Sequence, residues 1–295
     1  MVQGRADVEI AWLGDPAAHE PALVGGKAAS LSRLAAEYRV PPGFAITSKT
    51  LAAAAPELAR GEVPPGLRAT IDEAYGSLGW PPVAVRSSAL DEDGESHSFA
   101  GQHETFLNVQ GTDAIAEAVA QCFASAFTDR ALDYRQRVGL QVDEIGLAVL
   151  IQELIPADVS AVVFSANPID GRLDEIVINA SYGLGESIVG GTTTPDTIVV
   201  GKDDLHIRSR TIGEKRLMTV VSPDGTKELE TPALLRTLLC ITDEQAVEMA
   251  ALARLLENAM GSPVDVECAL HSNLLYLLQA RPITTLATHT DSKRS

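Results

Sequence analysis

The stretch VDVECALHSNLLYLLQARPIT, residues 264–284, predicts two strands around a short polar turn at residues 271–273. Because side chains two residues apart in a strand share a face, each run places its polar groups on one side. Those groups are Asp265 and Glu267 in the first run, and Gln279 and Arg281 in the second. Half of the possible hairpin registers put all four on one sheet face, and one of these registers sets Glu267 opposite Gln279.

The same alternation predicts that Leu275 and Leu277 lie on the face that carries Gln279 and Arg281. Two oxygen ligands beside a guanidinium group suit a magnesium ion that carries a phosphate. The same groups also suit an ordinary salt bridge on an exposed sheet face. The hairpin residues alone leave both interpretations open.

Length and composition indicate a folded protein that does not bind nucleic acid. With 295 residues, of which 45% are hydrophobic, the chain can form one large domain or two moderate ones around a proper core. Aromatic residues make up only 4%, which leaves little for base stacking, and the net charge of -17 repels nucleic acid and anionic membranes. An anionic ligand must therefore meet cations that are placed locally.

The cysteines and the apolar runs indicate a cellular compartment. Cys122, Cys240 and Cys268 lie far apart, which argues against a zinc site and a disulfide framework and fits a reducing cytoplasm. The sequence begins without an apolar signal core, and no run approaches the length of a membrane span. We therefore expect a cytoplasmic protein that does not act on membranes.

Helical and strand patterns are mixed without strict alternation, which predicts an α+β or α/β fold in two lobes. One helix is predicted from Asp113, where apolar residues recur at three-four spacing and Thr112 offers a cap. A second predicted helix begins with a capping box of Thr242 and Gln245 and ends at Gly261.

Two basic residues stand where an anion could bind. In GGKAAS, residues 25–30, Lys27 follows a glycine pair that opens a helix, although Pro21 and Ala28 break the P-loop pattern. Such a helix start can still bind an anion, because backbone N–H groups and the helix dipole face the ligand. Arg86 ends a short apolar strand before two serines, a position suited to phosphate. An ordinary surface lysine and a surface arginine remain the alternatives.

A glycine-rich loop, GLGESIVGG at residues 183–191, is similar to a dinucleotide-binding fingerprint, but Ile188 replaces the third glycine. A plain tight loop is the preferred interpretation. A hairpin-like stretch follows this loop, from Asp196 to about Val221.

Six segments occur in order along the chain: VGGKAASLSRL, VPPGFAIT, VAVRSSALDEDGESHSFAGQHETFLNV, IQELIPADVSAVVFSANP, SYGLGESIVGG and LLQARPIT. This set resembles the ATP-binding N-terminal domain of the family of phosphoenolpyruvate synthase, pyruvate phosphate dikinase and rifampicin phosphotransferase, from about residue 10 to residue 285. The resemblance implies an α+β ATP-grasp fold in which two lobes clasp ATP between them. The expected lobes are residues 1–152 and 153–285, and residues 286–295 are a tail or the start of a linker.

The resemblance also implies ATP and Mg²⁺ as cofactors and a set of phosphate-binding residues. The cations that match the family's phosphate-binding positions, and that are the predicted catalytic residues, are Lys27, Arg86 and Arg281. Gly101 and Thr105 match a glycine-rich lid over the phosphates.

The nucleoside and the metal have their own predicted contacts by the same resemblance. Gln152 matches a hinge position that contacts the nucleotide, and Glu153, Leu154 and Ile155 are expected to line the adenine slot. Glu267 and Gln279 match the magnesium ligands, and this match favours the metal-phosphate interpretation of the hairpin.

The resemblance implies a dikinase reaction, in which ATP yields AMP, one phosphate goes to a carrier histidine and the other goes to water or phosphate. The phosphohistidine then phosphorylates pyruvate or another small molecule. None of the six histidines lies in a glycine- and Ser/Thr-rich segment like that of the family's carrier. We therefore expect the carrier histidine in another protein, or on a part of the same protein beyond this chain. The alternatives are a non-catalytic module that binds adenine nucleotides and an ADP-forming ATP-grasp ligase.

Overall fold

The computed structural model of the protein describes residues 9–90, 104–127 and 146–283. The chain forms two compact units, Met1–Leu154 (unit 1) and Ile155–Ser295 (unit 2). The boundary predicted after residue 152 lies close to this division. The assignment of the units as the two lobes of a nucleotide-binding fold stays a prediction.

Unit 1 has a five-stranded antiparallel sheet with helices on both faces. Its strands are β1 (Ile10–Trp12), β2 (Gly43–Ile46), β3 (Val83–Ala89), β4 (Thr105–Val109) and β5 (Leu147–Glu153), in the order β1-β2-β5-β3-β4. Its helices are a short 3-10 helix (Pro16–His19), α1 (Pro21–Leu34), α2 (Ser48–Ala53), α3 (Ala55–Leu58), α4 (Pro65–Leu78) and α5 (Thr112–Ser125).

The two faces of this sheet differ because the strand residues alternate. Phe44, Val85 and Ile151 point to the face that packs against α2 to α5 in one hydrophobic core. Leu150 lies on the opposite face, which α1 covers, and it is fully buried there. The hydrophobic effect therefore fixes both helical layers on the sheet.

One predicted helix start in unit 1 is wrong in detail. Helix α5 begins at Thr112, and Gly111 occupies the N-cap position with no side-chain cap. The hydroxyl of Thr112 instead donates a hydrogen bond to the carboxylate of Asp72 on α4. A tertiary hydrogen bond between two helices has thus replaced the local cap, which the sequence alone does not specify.

Unit 2 has a six-stranded antiparallel sheet and a separate two-stranded ribbon. The sheet strands are β6 (Val159–Phe164), β7 (Glu175–Tyr182), β8 (Asp196–Gly201), β9 (Ile207–Thr211), β12 (Val264–His271) and β13 (Leu274–Pro282), in the order β13-β12-β6-β7-β8-β9. The ribbon consists of β10 (Leu217–Ser222) and β11 (Gly225–Glu230). The helices are α6 (Glu186–Val189), α7 (Ala233–Arg236) and α8 (Asp243–Met260).

Helix α8 covers one face of the sheet of unit 2 through the apolar side chains on its buried stripe. The predicted capping box is confirmed, because Thr242 and Gln245 each bond the backbone N–H of the other residue. The predicted helix end is also confirmed, since Gly261 adopts the left-handed conformation with φ of 73°.

The stretch predicted as hairpin-like after residue 196 divides in two. Strands β8 and β9 form a hairpin as expected, but Leu217–Ser222 pairs with Gly225–Glu230 and forms the ribbon. The ribbon meets the glycine-rich loop at Thr219, which bridges to Gly183 and Leu184. A Cβ atom on Gly183 would lie 2.2 Å from the carbonyl oxygen of Thr219, so this close approach requires glycine.

A buried ion pair, the Asp196–Lys215 pair, holds the start of β8 against the segment that leads into β10. Both side chains are fully buried, and the Lys215 ammonium donates to the Asp196 carboxylate and to the carbonyl oxygen of Gly213, the latter at 3.0 Å. The backbone N–H groups of Gly213 and Cys240 donate to the same carboxylate, at 2.9 and 2.7 Å. Each charge therefore has compensating hydrogen bonds.

The hairpin of β12 and β13 has the register that sets Glu267 opposite Gln279 and Asp265 opposite Arg281. Its turn is shorter than predicted, because His271 pairs with Leu274. The turn contains only Ser272 and Asn273, whose φ values of 50° and 63° match a two-residue type I′ turn.

The predicted placement of Leu275 and Leu277 on the polar face of the hairpin is wrong. Their partners are Leu270 and Cys268, which face the buried side of the sheet. One extra residue on β13, Leu278, interrupts the pairing between the apolar pairs and the polar pairs as a β-bulge. The bulge therefore moves Gln279 and Arg281 to the face of Asp265 and Glu267.

Within the described ranges, 9–90, 104–127 and 146–283, none of the helices combines the length and the apolar character that crossing a membrane requires.

Candidate functional site

The glycine pair before Lys27 shapes the first candidate site in unit 1. Helix α1 is broken at Gly25, whose φ of 78° lies in the left-handed region, so its second part starts at Gly26. Lys27 sits in the first turn after the break and is 8% exposed. Its ammonium donates a hydrogen bond of 2.9 Å to the carbonyl oxygen of Ser87 on β3. The ammonium of Lys27, a predicted phosphate-binding group, thus lies against β3 at the residue that follows Arg86.

Three other predicted residues of unit 1 lie on the sheet face that α1 covers. Arg86 on β3 is paired with Thr105 on β4, and Ala84 is paired with Gln152 on β5. Residues paired directly in an antiparallel sheet share a face, and Ala84 and Arg86 are two residues apart. The structure therefore brings Arg86, Thr105 and Gln152 to one face. The other lid residue, Gly101, lies outside the described residues.

Gln152 and Glu153 also hold the segment that leads into β2. The side-chain amide of Gln152, which is 2% exposed, donates to the carbonyl oxygen of Pro41 at 3.1 Å. The backbone N–H of Glu153 donates to the carbonyl oxygen of Pro42 at 2.9 Å. The division between the units falls after Leu154, and Ile155 is a buried residue of unit 2. The role of these residues in an adenine slot stays a prediction.

The polar face of the hairpin is the candidate site of unit 2. The Nε and Nη2 atoms of Arg281 donate to Oδ2 of Asp265 at 3.0 and 2.8 Å. The Asp265 side chain is 12% exposed, and its Oδ1 atom is buried with no hydrogen-bond partner in the part of the chain that the structure describes. Burial raises the pKa of Asp265, the neighbouring Arg281 opposes this rise, and Glu267 adds to it.

Asp265 is therefore a candidate that the resemblance did not assign, although its spacing from Glu267 was visible in the sequence. The salt-bridge interpretation holds for Asp265 and Arg281, which form an ion pair. That pair differs from a surface salt bridge, because its carboxylate is largely buried and one carboxylate oxygen has no hydrogen bond among the described residues. An additional donor or cation would satisfy this oxygen.

The donor set of the hairpin fits a magnesium ion. Among residues 9–90, 104–127 and 146–283, no three side chains of His, Cys, Asp and Glu converge as a protein-only metal site. Magnesium is usually bound by one or two carboxylates together with water and substrate phosphates. The carboxylate of Glu267 opposite the amide of Gln279, beside the unsatisfied oxygen of Asp265, is a donor set of this kind.

The same sheet face continues from the hairpin across β6 to β7. Glu267 is paired with Val162, and Val162 is paired with Asn179. The hydroxyl of Thr197 on β8 donates to Oδ1 of Asn179 at 2.9 Å, which leaves the amide nitrogen of Asn179 to act as a donor. Sequence reasoning did not select Asn179, because a single asparagine within a strand carries no motif.

A comparison with protein families identifies the class of this protein. The model of the family described as "Pyruvate phosphate dikinase, AMP/ATP-binding domain" matches residues 54–295. The match covers more than half of the chain, so the chain belongs to this family. The resemblance inferred from the six segments is therefore confirmed. The helices and sheets of the two units confirm the α+β class, and the ATP-grasp arrangement stays a prediction.

Individual relatives are longer than this chain. A probable phosphoenolpyruvate synthase from Methanocaldococcus jannaschii is 36% identical over 94% of this chain and 27% of its own length. The uncharacterized phosphotransferase YvkC from Bacillus subtilis is 42% identical over 69% of this chain and 24% of its own length. The prodigiosin synthesizing transferase PigC from Serratia marcescens is 38% identical over 91% of this chain and 32% of its own length.

The chain thus spans about a quarter to a third of the length of these three relatives. It is an ATP-binding module of a phosphotransferase family. Among solved structures, the D-alanine–D-alanine ligase from Bacillus anthracis complexed with ATP covers 91% of this chain and 57% of its own, at 9% identity and a TM-score of 0.34. A likeness this remote carries no inference about the reaction.

Proposed function

We propose that this chain binds Mg-ATP and cleaves it to AMP, and that it phosphorylates a carrier histidine outside this chain. The phosphohistidine then passes its phosphoryl group to pyruvate or another small molecule. The chain belongs to this family, and the observation that carries the proposal is its hairpin of β12 and β13. There the carboxylate of Glu267 stands opposite the amide of Gln279, beside the partly buried pair of Asp265 and Arg281. This is the donor set that a metal-bound polyphosphate requires.

The reaction makes two demands on the protein, positioning and neutralisation of charge, because the protein need not form a covalent bond itself. Two P–O bonds of the ATP polyphosphate break: cleavage between the α- and β-phosphorus atoms releases AMP, and cleavage between the β- and γ-phosphorus atoms separates the two phosphoryl groups. One phosphoryl group forms a P–N bond with the carrier imidazole, and the other is accepted by water or phosphate. When it is bound, magnesium neutralises part of the phosphate charge.

The proposed roles follow from the chemistry of the side chains. Lys27, Arg86 and Arg281 neutralise phosphate oxygens in a chain whose net charge is -17. Glu267 and Gln279 hold the magnesium ion, and their pairing across the hairpin supports this assignment.

The remaining assigned residues contact the rest of the nucleotide in this proposal. Thr105, together with Gly101, covers the phosphates. Gln152, Glu153 and Ile155 contact the adenine or the ribose through side-chain or backbone groups. The bond between Gln152 and Pro41 supports a pre-organised arrangement at the end of β5, since it fixes the amide before any ligand arrives.

The test is product analysis with radiolabelled ATP, with and without magnesium and with and without a candidate histidine-carrier protein. We expect Mg-ATP binding by calorimetry, AMP as the nucleotide product, and an acid-labile phosphoprotein when the carrier is present. ADP as the nucleotide product would contradict this proposal and favour the alternative of an ADP-forming ATP-grasp ligase. Tight ATP binding without any cleavage in the presence of carriers would replace it with the non-catalytic module.

A further inference from the structure

Two buried serines, Ser87 and Ser88, connect the elements that carry the proposed cations of unit 1. Both side chains are fully buried on β3, directly after Arg86. Ser87 accepts the hydrogen bond from the Lys27 ammonium through its carbonyl oxygen, at 2.9 Å. The hydroxyl of Ser88 accepts a hydrogen bond of 3.3 Å from the backbone N–H of Ala28. The start of the second part of α1 is therefore attached to β3 at two adjacent residues.

The contact between the glycine turn and Ser88 is too close for any other residue type. A Cβ atom on Gly25 would lie 2.3 Å from both the carbonyl oxygen and the hydroxyl oxygen of Ser88. Gly25 also has a φ of 78°, which side chains rarely adopt. The close contact and the positive φ each require glycine at this position. Because Gly25 has no Cβ atom, the backbone before Lys27 can lie directly on β3.

Ser87 also contacts Glu104, the residue that precedes β4. The backbone N–H and the hydroxyl of Ser87 both donate to the carbonyl oxygen of Glu104, at 3.2 and 3.5 Å. Glu104 precedes Thr105, which is paired with Arg86. Ser87 thus contacts both Lys27 and the residue before Thr105, while Ser88 holds the backbone of Ala28, the residue after Lys27.

We propose that Ser88 is a positioning residue, which holds the Lys27 ammonium at a fixed place relative to the Arg86 guanidinium. This inference rests on the proposed function, because a fixed distance between the two cations matters only if both bind one polyphosphate. Ser88 itself acts through Lys27 and does not touch the nucleotide. A lysine side chain has four rotatable carbon–carbon bonds, so an unanchored ammonium loses much entropy on binding a phosphate. Anchoring the backbone at Ala28 and the ammonium at Ser87 removes part of that cost before ATP binds.

The first experiment measures the position of Lys27 without any nucleotide. Limited acylation of the whole chain, followed by mass spectrometry, gives a labelling rate for each lysine. We expect Lys27, buried in the wild type, to react much more slowly than the exposed Lys49 and Lys227. In the variant Ser88→Ala, the rate at Lys27 should rise about fivefold, as the loss of one buried hydrogen bond predicts, and the rates at the exposed lysines should stay the same.

The matched control is Ser32→Ala. Ser32 is also a buried serine that accepts a backbone N–H bond, from Gly14 at 2.9 Å, and it lies on α1 itself. Both variants lose one bond of the same kind and are expected to lose similar stability, so a general loosening would raise labelling at Lys27 in both. Equal rates at Lys27 in the two variants, or fast labelling of Lys27 in the wild type, would overturn the positioning role.

The second experiment measures Mg-ATP affinity of the same three proteins by calorimetry. We expect Ser88→Ala to bind about fivefold more weakly and Ser32→Ala to match the wild type within about twofold. Unchanged affinity of Ser88→Ala would refute the idea that the positioning serves ATP. If the wild type does not bind Mg-ATP, the proposed function fails, while the labelling rates still decide whether Ser88 positions Lys27.

Discussion

The Asp196–Lys215 pair and the Asp265–Arg281 pair of unit 2 have similar chemistry but different surroundings. The first is fully buried, and its two side chains make hydrogen bonds with each other and with nearby backbone groups. The second lies on a partly covered sheet face, and one of its carboxylate oxygens is buried without a hydrogen bond among the described residues. A fully satisfied ion pair indicates a structural role, whereas a carboxylate oxygen without a hydrogen bond can take one further donor or cation.

The largest expected effect is on stability, at the satisfied pair. Lys215→Met leaves the Asp196 carboxylate buried without its counter-ion, so we expect a loss of about 3–5 kcal/mol in the free energy of unfolding. Urea denaturation measures it. The control is Arg208→Ala, which removes an exposed pair with Asp204, so we expect a much smaller loss of stability. Similar losses in the two variants would contradict the structural role of the buried pair.

The next effect is on activity, at the accessible face. Glu267→Gln keeps the shape of the side chain but removes its charge, so ATP cleavage should fall by about 10²–10³-fold. The unfolding free energy should change by less than about 0.5 kcal/mol. Glu248→Gln, an exposed residue of α8, is the control for a lost negative charge and should keep the wild-type rate. A near-normal rate in Glu267→Gln would remove this residue from the proposed metal site.

A smaller effect distinguishes geometry from charge at Arg281. Arg281→Lys keeps the positive charge but loses the pair of N–H groups that hold Asp265, so we expect a loss of about 1–2 kcal/mol in stability. The control is Arg210→Lys, whose guanidinium makes two bonds to Asp243 at the surface. Because solvent screens that exposed pair, we expect a clearly smaller loss in this variant. Equal losses of stability in both variants would mean that the Asp265–Arg281 pair stabilises the fold no more than an exposed surface pair does.

The smallest effect is a pH dependence with a defined sign. Because burial raises the pKa of Asp265 above its ordinary value of 3.8, the folded state holds this proton more tightly than the unfolded state. Its contribution to stability is therefore fully present below pH 3.8 and is lost as the pH rises through the raised pKa. The variant Asp265→Asn has no such carboxyl group, so the stability of the wild type relative to the variant should fall as the pH rises through the raised pKa, which urea denaturation at a series of pH values measures.

Asp243 provides the control of opposite sign for the same titration. The hydrogen bond from Arg210 lowers the pKa of Asp243, so its contribution is present above the ordinary value of 3.8 and is lost as the pH falls. For Asp243→Asn, the stability of the wild type relative to the variant should therefore fall as the pH is lowered. A flat difference curve for Asp265→Asn would mean that its carboxylate is as well solvated as an exposed one.

Sequence patterns predicted the elements whose signals are local. The capping box at Thr242 and Gln245 needs only neighbouring residues, and it is present. The pairing of Glu267 with Gln279 was one of several registers that the alternation allowed, and the structure selects it. The α+β class followed from the mixture of helical and strand patterns.

Features that depend on distant residues were not predictable from these patterns. The bond from Thr112 to Asp72 replaced an expected cap, because two helices meet there. The bulge at Leu278 is invisible in a pattern that alternates regularly, since only the packing of the sheet decides where the pairing slips. Lys215 carries no motif, and its partner Asp196 lies nineteen residues away in the sequence.

The extra residue on β13 has a consequence for how this hairpin can change in length. Alternate residues of a strand face α8. The unpaired Leu278 adds one residue to β13, so the residues before it and those after it alternate out of step. A deletion at Leu278 would straighten β13 yet keep Gln279 and Arg281 on their present face. A deletion of Cys268 from β12 has no bulge to absorb it and would reverse the orientation of the strand residues on one side of it. The hairpin can therefore lose one residue at Leu278 without moving its polar side chains to the other face.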